Sequence, residues 1–224
     1  TVLDKTMLGL FTETAVENGY YEQAMKVARI GLMVVTSLGT VMGPRIGACF
    51  AKNEMEQVRH YMYRGYQFVW CLGILVCFGL IGVADNFVPW FFGDGFLPVA
   101  DLLKVSALLV LAVGINNVTG VQYLIPTRRQ NIFTFTVVAG AGINLILNLI
   151  LIPKFYALGA VVASVAAETG IAILQFIIVR RELSYKKAIY SSKNYFLAGI
   201  LMLLVLFFEK DILPQSPLGT MEII

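Results

Sequence analysis

Few ionisable side chains lie inside the long apolar stretches of this sequence, and these few are the candidates for chemistry. Glu168 stands at the midpoint of the apolar stretch 157–179. A charged group at mid-membrane costs roughly 2.5–3.5 kcal/mol on insertion scales, so it should face protein or a water-filled cavity. Two interpretations stay open: Glu168 is a coupling carboxylate, or it is a structural carboxyl that is hydrogen-bonded to a neighbouring helix.

Three basic residues flank another apolar stretch, 24–44. Lys26 and Arg29 stand three positions apart near its start, on one helical face, and Arg45 follows Pro44 at its end. Lys26 and Arg29 either extend to the outer interface of a membrane or line a cavity and hold an anion. Guanidinium and ammonium groups suit phosphate oxygens, so the second interpretation predicts an anionic substrate group.

Two amides share one face of the stretch 132–152, because Asn144 and Asn148 are four positions apart. Amides in membrane helices can hold two helices together by about 0.6 kcal/mol each. We expect Asn144 and Asn148 to be structural polar residues between helices.

The sequence carries no motif for catalysis. It lacks a GxSxG elbow, a Walker loop, an HExxH pair and a GxGxxG turn after a strand. His60 is the one histidine, and Cys49, Cys71 and Cys77 have no metal-ligand spacing. We therefore predict no enzyme activity, no catalytic residue, no metal site and no cofactor.

Composition shows which elements must position these residues. Hydrophobic residues make up 58% of the chain and charged residues 14%, against about 45–50% and about 25% in soluble domains. The net charge of +3 is too small to indicate nucleic-acid binding. We predict an all-α integral membrane protein with about six spans, at about 24–44, 66–84, 102–125, 132–152, 157–179 and 194–208.

Basic residues alternate between the connections, as the positive-inside rule requires. The connections after the first, third and fifth spans are basic, whereas 85–101 has three aspartates and no Lys or Arg. The basic connections should face the cytoplasm; their cations are Arg45, Lys52, Arg59, Arg64, Arg128, Arg129, Arg180, Arg181, Lys186, Lys187 and Lys193. Anionic lipid could also bind there, but the orientation rule alone explains these charges.

Five segments resemble a known family: LDKTMLGLF, ENGYYEQAMKVARI, TVMGPRIG, NNVTGVQYLIPTRRQ and GAGINLILNLILIPKFYALGAVVASVAAE. They resemble the second half of the bacterial polysaccharide flippases, the Wzx-type O-antigen transporters of the multidrug/oligosaccharidyl-lipid/polysaccharide superfamily. The resemblance runs from Leu3 to Leu183, and Tyr156 stands where the family often has glycine. This departure concerns one turn and not the membership.

The resemblance implies one helical bundle of a two-bundle transporter with a cationic central cavity. Lys5, Lys26, Arg29 and Arg45 would then bind the pyrophosphate of a lipid-linked glycan. Asp4, in the LDK segment, joins Glu168, Asn144 and Asn148 as coupling or structural polar residues. Expected partners are the lipid-linked glycan, membrane lipids, a polysaccharide polymerase and glycosyltransferases, with no nucleic acid.

These expectations define a domain plan and a function. Residues 1–23 are the end of a preceding span and an outer connection, 24–183 are the bundle, and 184–224 are a basic cytoplasmic loop, the sixth span and an outer tail. The chain is expected to be an excerpt of a longer protein. The predicted function is translocation of undecaprenyl-pyrophosphate-linked oligosaccharide across the bacterial cytoplasmic membrane by alternating access. The alternatives are a cation-coupled multidrug exporter of the same superfamily and a non-transporting scaffold for glycan enzymes.

Overall fold

The computed structural model of the chain describes residues 2–12, 15–190 and 192–209, without the side chains of Tyr185 and Glu209. These residues form helices joined by short connections, with no strand among them. The α-helices are α1 Val2–Phe11, α2 Val16–Thr36, α3 Leu38–Ala51, α4 Met55–Phe92, α5 Pro98–Ser106, α6 Leu108–Asn116, α7 Gln130–Val179, α8 Tyr185–Tyr190 and α9 Lys193–Glu209. A 3₁₀ turn, Asp94–Phe96, precedes α5, and a π-helix, Asn117–Leu124, follows α6.

Within the described ranges, five helical runs are long and apolar enough to cross a membrane: Val16–Ala51, Met55–Phe92, Pro98–Leu124, Gln130–Val179 and Lys186–Phe208. Large apolar side chains on their outer faces are exposed, among them Ile146, Leu149 and Ile150 of α7. A helix that is apolar on its exposed face needs lipid or another protein around it. The predicted all-α membrane fold is confirmed.

The long helix α7 is two membrane spans rather than one. Its 50 residues would extend about 75 Å as a straight helix, more than twice a hydrocarbon core of about 30 Å. The backbone leaves helical geometry at Tyr156 and reverses there. Asn144 contacts Ser164 and Thr136 contacts Gln175, so the first arm, 130–155, runs antiparallel to the second arm, 157–179. With this reversal the five runs contain six segments that are long and apolar enough to cross a membrane.

The reversal at Tyr156 has an unusual backbone for a non-glycine residue, with φ 51° and ψ −127°. Pro153 lies inside the helix three residues earlier. The amide of Ala157, the first residue of the second arm, donates a hydrogen bond of 3.1 Å to the Glu17 carboxylate of α2. Glu17 therefore satisfies a helix N-terminus and holds the turn against α2.

Two apolar clusters fill the bundle at its two ends. The first joins α1, α2, α5 and α7 around Tyr21, Leu103 and Ile152, and the second joins α3, α4, α6 and the π-helix around Met62, Tyr66 and Tyr123. The buried hydroxyls of these two tyrosines are hydrogen-bonded: Tyr66 pairs with Thr119, and Tyr123 pairs with Glu182. The polar residues of the bundle interior lie along the helices that these clusters bring together.

Helix α9 packs along α4, where Leu206 lies against Gly82 and Gly199 lies against Ile74 and Phe78. It covers the stretch 194–208 that the sequence proposed as the sixth span, and α8 precedes it. Its crossing of the membrane stays a prediction, as does the domain plan of 1–23, 24–183 and 184–224. The predicted outer tail, with Lys210 and Asp211, lies outside the described residues.

Replacing Tyr156 by glycine should stabilise the protein. A positive φ costs a non-glycine residue about 1–3 kcal/mol, and glycine adopts it without that cost. We expect Tyr156→Gly to raise the free energy of unfolding by about 1 kcal/mol, measured by denaturation in detergent. Tyr156→Ala is the matched control, since it removes the ring but keeps the Cβ. An Ala variant as stable as the Gly variant would contradict the backbone explanation.

Candidate functional site

A buried carboxylate lies where four helical segments meet. Asp4 of α1 is fully buried. Its Oδ2 accepts hydrogen bonds from the hydroxyls of Tyr21 (2.7 Å) and Ser164 (3.1 Å), and its Oδ1 accepts one from the Asn148 amide (2.8 Å). Tyr21 belongs to α2, Asn148 to the first arm of α7 and Ser164 to the second arm. These partners are neutral donors, which lower the cost of burying the charge.

Asn144 completes this group, which we call the Asp4 cluster: Asp4, Tyr21, Asn144, Asn148 and Ser164. The Asn148 amide also donates to Asn144 Oδ1 (3.1 Å), and the Asn144 amide donates to Ser164 Oγ (3.4 Å). The four-residue spacing puts both amides on one face of the first arm, and the reversal at Tyr156 brings Ser164 opposite them. Asn148 Oδ1 is buried without a hydrogen-bond partner among the described residues.

The cluster is rich in oxygen atoms that can accept a proton or coordinate a cation. It offers two carboxylate oxygens, two amide oxygens and two hydroxyls at one buried place. An unpartnered buried carbonyl such as that of Asn148 calls for an explanation, and an unseen ion or water is one of them. The part of the chain that the structure describes contains no group of three His, Cys, Asp or Glu side chains placed to hold a metal ion.

A cavity of about 560 Å³ lies beside the Asp4 cluster, between α1, α2, α6 and both arms of α7. Asn144 and Ser164 belong to its lining as well as to the cluster. The rest of the lining is mainly apolar, with two charged residues, Arg29 and Glu168. The cavity therefore has a mainly apolar wall with one cation and one carboxyl, and it borders the Asp4 cluster.

Glu168 is held in this cavity by Asn116 of α6. The Asn116 amide donates to Glu168 Oε2 (2.6 Å) and to the backbone carbonyl of Glu168 (2.9 Å). This is the geometry expected of a structural carboxyl bonded to a neighbouring helix, and the cavity lining is the position expected of a coupling carboxylate. The structure places Glu168 in both settings, and its role stays a prediction.

The four predicted substrate cations occupy three different settings. Arg29 lines the cavity and forms no ion pair within the described ranges. Lys5 and Lys26 both pair with Glu22, at 3.1 Å and 3.4 Å, and neither lines the cavity. Arg45 is exposed on α3, away from the cavity. This chain thus brings one of the four to the cavity, and the substrate role of all four stays a prediction.

Several of these partners were not singled out as site residues from the sequence. Tyr21, Asn116 and Ser164 appeared only within the segments that carry the family resemblance. Glu17 and Glu22 were given no role. Glu17 and Glu22 lie close in sequence to the basic start of the stretch 24–44, and this spacing could have predicted an ion pair. The contacts of Tyr21 and Ser164 could not be predicted in this way, because they depend on how α1 and α7 fold back.

A second polar group joins two connections at the basic end of the bundle. Arg129 pairs bidentately with Glu182, with distances of 2.8 and 2.5 Å, and Tyr123 donates to the same carboxylate. The hydrogen bonds from Arg129 hold the pKa of Glu182 below its usual range, and those bonds raise the pKa of Arg129. The pair ties the start of the first arm to the end of the second.

Comparison with known proteins identifies the family. A model of the family described as lipid II flippase MurJ matches residues 6–213, nearly the whole chain. The chain belongs to the MurJ lipid II flippase family. No solved structure matches it.

Curated relatives of this MurJ-family chain include two probable flippases of Haloferax volcanii. The probable low-salt glycan biosynthesis flippase Agl15 is 25% identical over 162 residues, which cover 72% of this chain and 34% of the relative. The probable flippase AglR is 25% identical over 225 residues, covering 97% and 45%. An uncharacterized membrane protein of Methanocaldococcus jannaschii, MJ1068, is 24% identical over 218 residues, covering 94% and 41%. The chain spans less than half the length of these relatives.

The flippase resemblance found in the sequence is confirmed at the level of a flippase family. The matching family model is that of lipid II flippases, and the two named flippases are archaeal. The narrower assignment to bacterial O-antigen transporters goes beyond these matches. A multi-pass membrane protein of a flippase family is what the helices and the comparisons together establish.

The Arg129–Glu182 pair should make stability depend on pH. Because the folded-state pKa of Glu182 is lowered, its contribution is present above the unfolded value of about 4.3 and is lost as pH falls through the lowered pKa. Glu182→Gln should cost about 1 kcal/mol at neutral pH. In this variant the free energy of unfolding should also fall less steeply as the pH is lowered from neutral to acid. Denaturation in detergent over this pH range measures it. An unchanged pH dependence in the variant would contradict this assignment; Glu56→Gln, at an exposed acid of the same end, is the control.

Proposed function

We propose that the chain is one helical bundle of a flippase that moves undecaprenyl-pyrophosphate-linked oligosaccharide across the bacterial cytoplasmic membrane. Two bundles would alternate access to the two sides around a shared site. Membership of the MurJ family and the names of the archaeal relatives support a lipid-linked glycan as the substrate class. The bacterial membrane and the undecaprenyl carrier come from the resemblance of the sequence to polysaccharide flippases.

The observation that carries the proposal is that Arg29 lines a mainly apolar cavity and forms no ion pair within the described ranges. A lipid-linked pyrophosphate has an anionic head and an apolar tail. Arg29 offers a guanidinium fork to the phosphate oxygens, and residues such as Val113 and Ile171 offer an apolar wall to the adjoining lipid. Both groups belong to the lining of the same cavity.

The size of the cavity indicates that this bundle supplies only part of the site. About 560 Å³ falls in the range of roughly 300–1,000 Å³ that suits a drug-sized ligand, and an oligosaccharide on a long lipid is larger. The exposed cations Lys26 and Arg45, on α2 and α3, would then contribute from the face toward the second bundle. A bound phosphate would compete with Glu22, which pairs with both Lys5 and Lys26.

Coupling to an ion gradient is assigned to the Asp4 cluster, with Glu168 as a second candidate carboxylate. Asn144 and Ser164 belong both to the cluster and to the cavity lining. An ion or proton that changes the hydrogen bonds of Asp4 would therefore change the wall of the cavity. Bound cation and substrate would be linked through these two shared side chains.

A second candidate function is cation-coupled multidrug export, which the family resemblance implies for other members of the same superfamily. The feature that favours it is Glu168, a carboxyl in an apolar cavity of drug-ligand size. A membrane scaffold for glycosyltransferases and a polysaccharide polymerase is the third alternative. It would need neither Arg29 nor the cavity, whereas both transport functions would.

Neutralising Arg29 should impair flipping of the lipid-linked glycan. A hydrogen bond to a charged group contributes about 1.5–3 kcal/mol, and 1.4 kcal/mol is a factor of ten. Arg29→Gln should therefore lower the flipping rate of the full-length protein in vesicles by about tenfold or more, and Arg29→Lys should keep part of it. Lys52→Gln, at an exposed cation outside the cavity, is the matched control.

The same vesicles separate the alternatives. Normal glycan flipping by Arg29→Gln would contradict the role of Arg29. No glycan flipping by the wild-type protein, together with drug extrusion that is lost in Glu168→Gln, would replace the proposal by drug export. No transport of either substrate by the wild-type protein, with glycan enzymes recovered in complex with it, would replace it by the scaffold.

A further inference from the structure

The basic end of the bundle contains a crevice centred on Tyr63, near the start of α4. Three adjoining cavities there, of about 790, 390 and 520 Å³, all have Tyr63 in their lining. Arg59, Arg64 and Lys187 line the largest of them, and Arg180, Arg181 and Lys186 line the second cavity, of about 390 Å³. We call this region the Tyr63 crevice. It lies outside the transport cavity, since the two share no lining residue.

Directed contacts hold α8 against α4 and so fix the walls of the crevice. The Ser184 amide donates to the Tyr63 hydroxyl at 3.0 Å. The Trp70 indole donates to the Ala188 carbonyl at 3.0 Å. Between them, the Lys187 ammonium lies 4.7 Å from the centre of the Tyr63 ring, a cation–π distance. The positive-inside rule accounts for cations at this end, but not for the contact of Lys187 with Tyr63 or for the arrangement of the other cations in cavities that Tyr63 lines.

The crevice has an excess of positive charge. Glu56 is the one carboxylate in the described lining of the largest cavity, against three Arg or Lys side chains. Glu182 lines the second cavity, but its carboxylate is already occupied by Arg129. Three cations around a phenol form a binding place for a phosphate, because guanidinium and ammonium groups donate hydrogen bonds to its oxygens.

The apolar neighbours of the crevice place it at a bilayer surface. Ile189 and Tyr190 at the end of α8 are 50% and 77% exposed, directly after Lys186 and Lys187. Exposed apolar side chains beside basic ones are typical of a helix that lies in the headgroup region. Phe196 and Leu197 continue the exposed apolar face into α9. A phosphate bound in the crevice would therefore have lipid tails next to it.

We propose that the Tyr63 crevice binds the phosphate of an anionic phospholipid headgroup and thereby fastens α8 and α9 to α4. Arg59, Arg64 and Lys187 would contact the phosphate, and the acyl chains would lie along the exposed apolar face of α8 and α9. The bound lipid is a constituent of the surrounding bilayer and not the transported substrate. The proposal is independent of the transport function.

Trp70 allows a direct test, because the chain has two tryptophans and Trp70 contacts α8. The full-length protein with Trp90→Phe, and with any tryptophans outside this sequence replaced by Phe, is reconstituted in phosphatidylcholine vesicles. Brominated phosphatidylglycerol or brominated phosphatidylcholine then serves as the quencher of Trp70 fluorescence. One basic residue near an anionic surface contributes about 1 kcal/mol, so we expect phosphatidylglycerol to be preferred by at least about fivefold.

Two double variants with equal charge loss decide whether the crevice causes the preference. Arg59→Gln with Lys187→Gln should reduce it to near unity, and Lys52→Gln with Arg128→Gln, at exposed cations outside the crevice, should leave it unchanged. An equal loss in both would overturn the proposal, since general surface charge would then explain the preference. Circular dichroism checks folding, and the single variant Lys187→Gln, with a partial loss expected, replaces the first pair if that pair does not fold.

Two further additions separate the sources of the anion. Inorganic phosphate should not abolish the preference, because it lacks the acyl chains; if it does, the crevice is a site for free phosphate and the lipid proposal fails. Polyglutamate should not shift Trp70 fluorescence in these vesicles. A shift with polyglutamate and no preference for phosphatidylglycerol would make the crevice a docking surface for an acidic protein.

Discussion

The buried carboxylate of Asp4 is the constraint on which the rest of the bundle depends. A charge without exposure to water is tolerated only when hydrogen bonds compensate its lost hydration, and Asp4 receives them from Tyr21, Asn148 and Ser164. These donors come from α2 and from both arms of α7. Helix α2 must therefore lie beside α1, and α7 must reverse. The strained turn at Tyr156 and its bond to Glu17 follow from that requirement.

Hydrogen bonds and shared side chains connect the Asp4 cluster to the cavity beside it and the cavity to the basic end of the bundle. Asn144 and Ser164 belong to both the cluster and the cavity. Glu168, which also lines the cavity, accepts a hydrogen bond from Asn116 at the end of α6. The π-helix begins at the next residue, and π-helical turns often occur at functional sites. It ends near Tyr123, whose hydroxyl reaches Glu182 and Arg129. Polar contacts thus follow the bundle from the Asp4 cluster to the basic connections.

Much of the fold could be predicted because lipid imposes a simple rule: long apolar runs become helices. The predicted stretches 132–152 and 157–179 lie within the two arms of α7. The contacts of the site were less predictable, because they join residues as distant as Asp4 and Ser164, and no local pattern encodes such pairings. Lys5 and Lys26 illustrate this, since their positions suggested phosphate binding whereas Glu22 pairs with both. Tyr156 is the converse: the sequence marked it as a departure from glycine, and the backbone there has the positive φ that glycine favours.

We propose that a carboxylate within the Asp4 cluster couples an ion to transport. The most direct measurement is glycan flipping driven by an imposed sodium or proton gradient, for Asp4→Asn, Asn148→Asp and the double variant, in vesicles with the full-length protein. We expect Asp4→Asn to lower the rate of gradient-driven flipping by about tenfold or more, as expected for a lost charged interaction of at least 1.4 kcal/mol. We expect the double variant to recover part of it, because Asn148 lies 2.8 Å from Asp4 and returns the charge to the same cluster. Undiminished gradient-driven flipping in a folded Asp4→Asn variant would contradict the account.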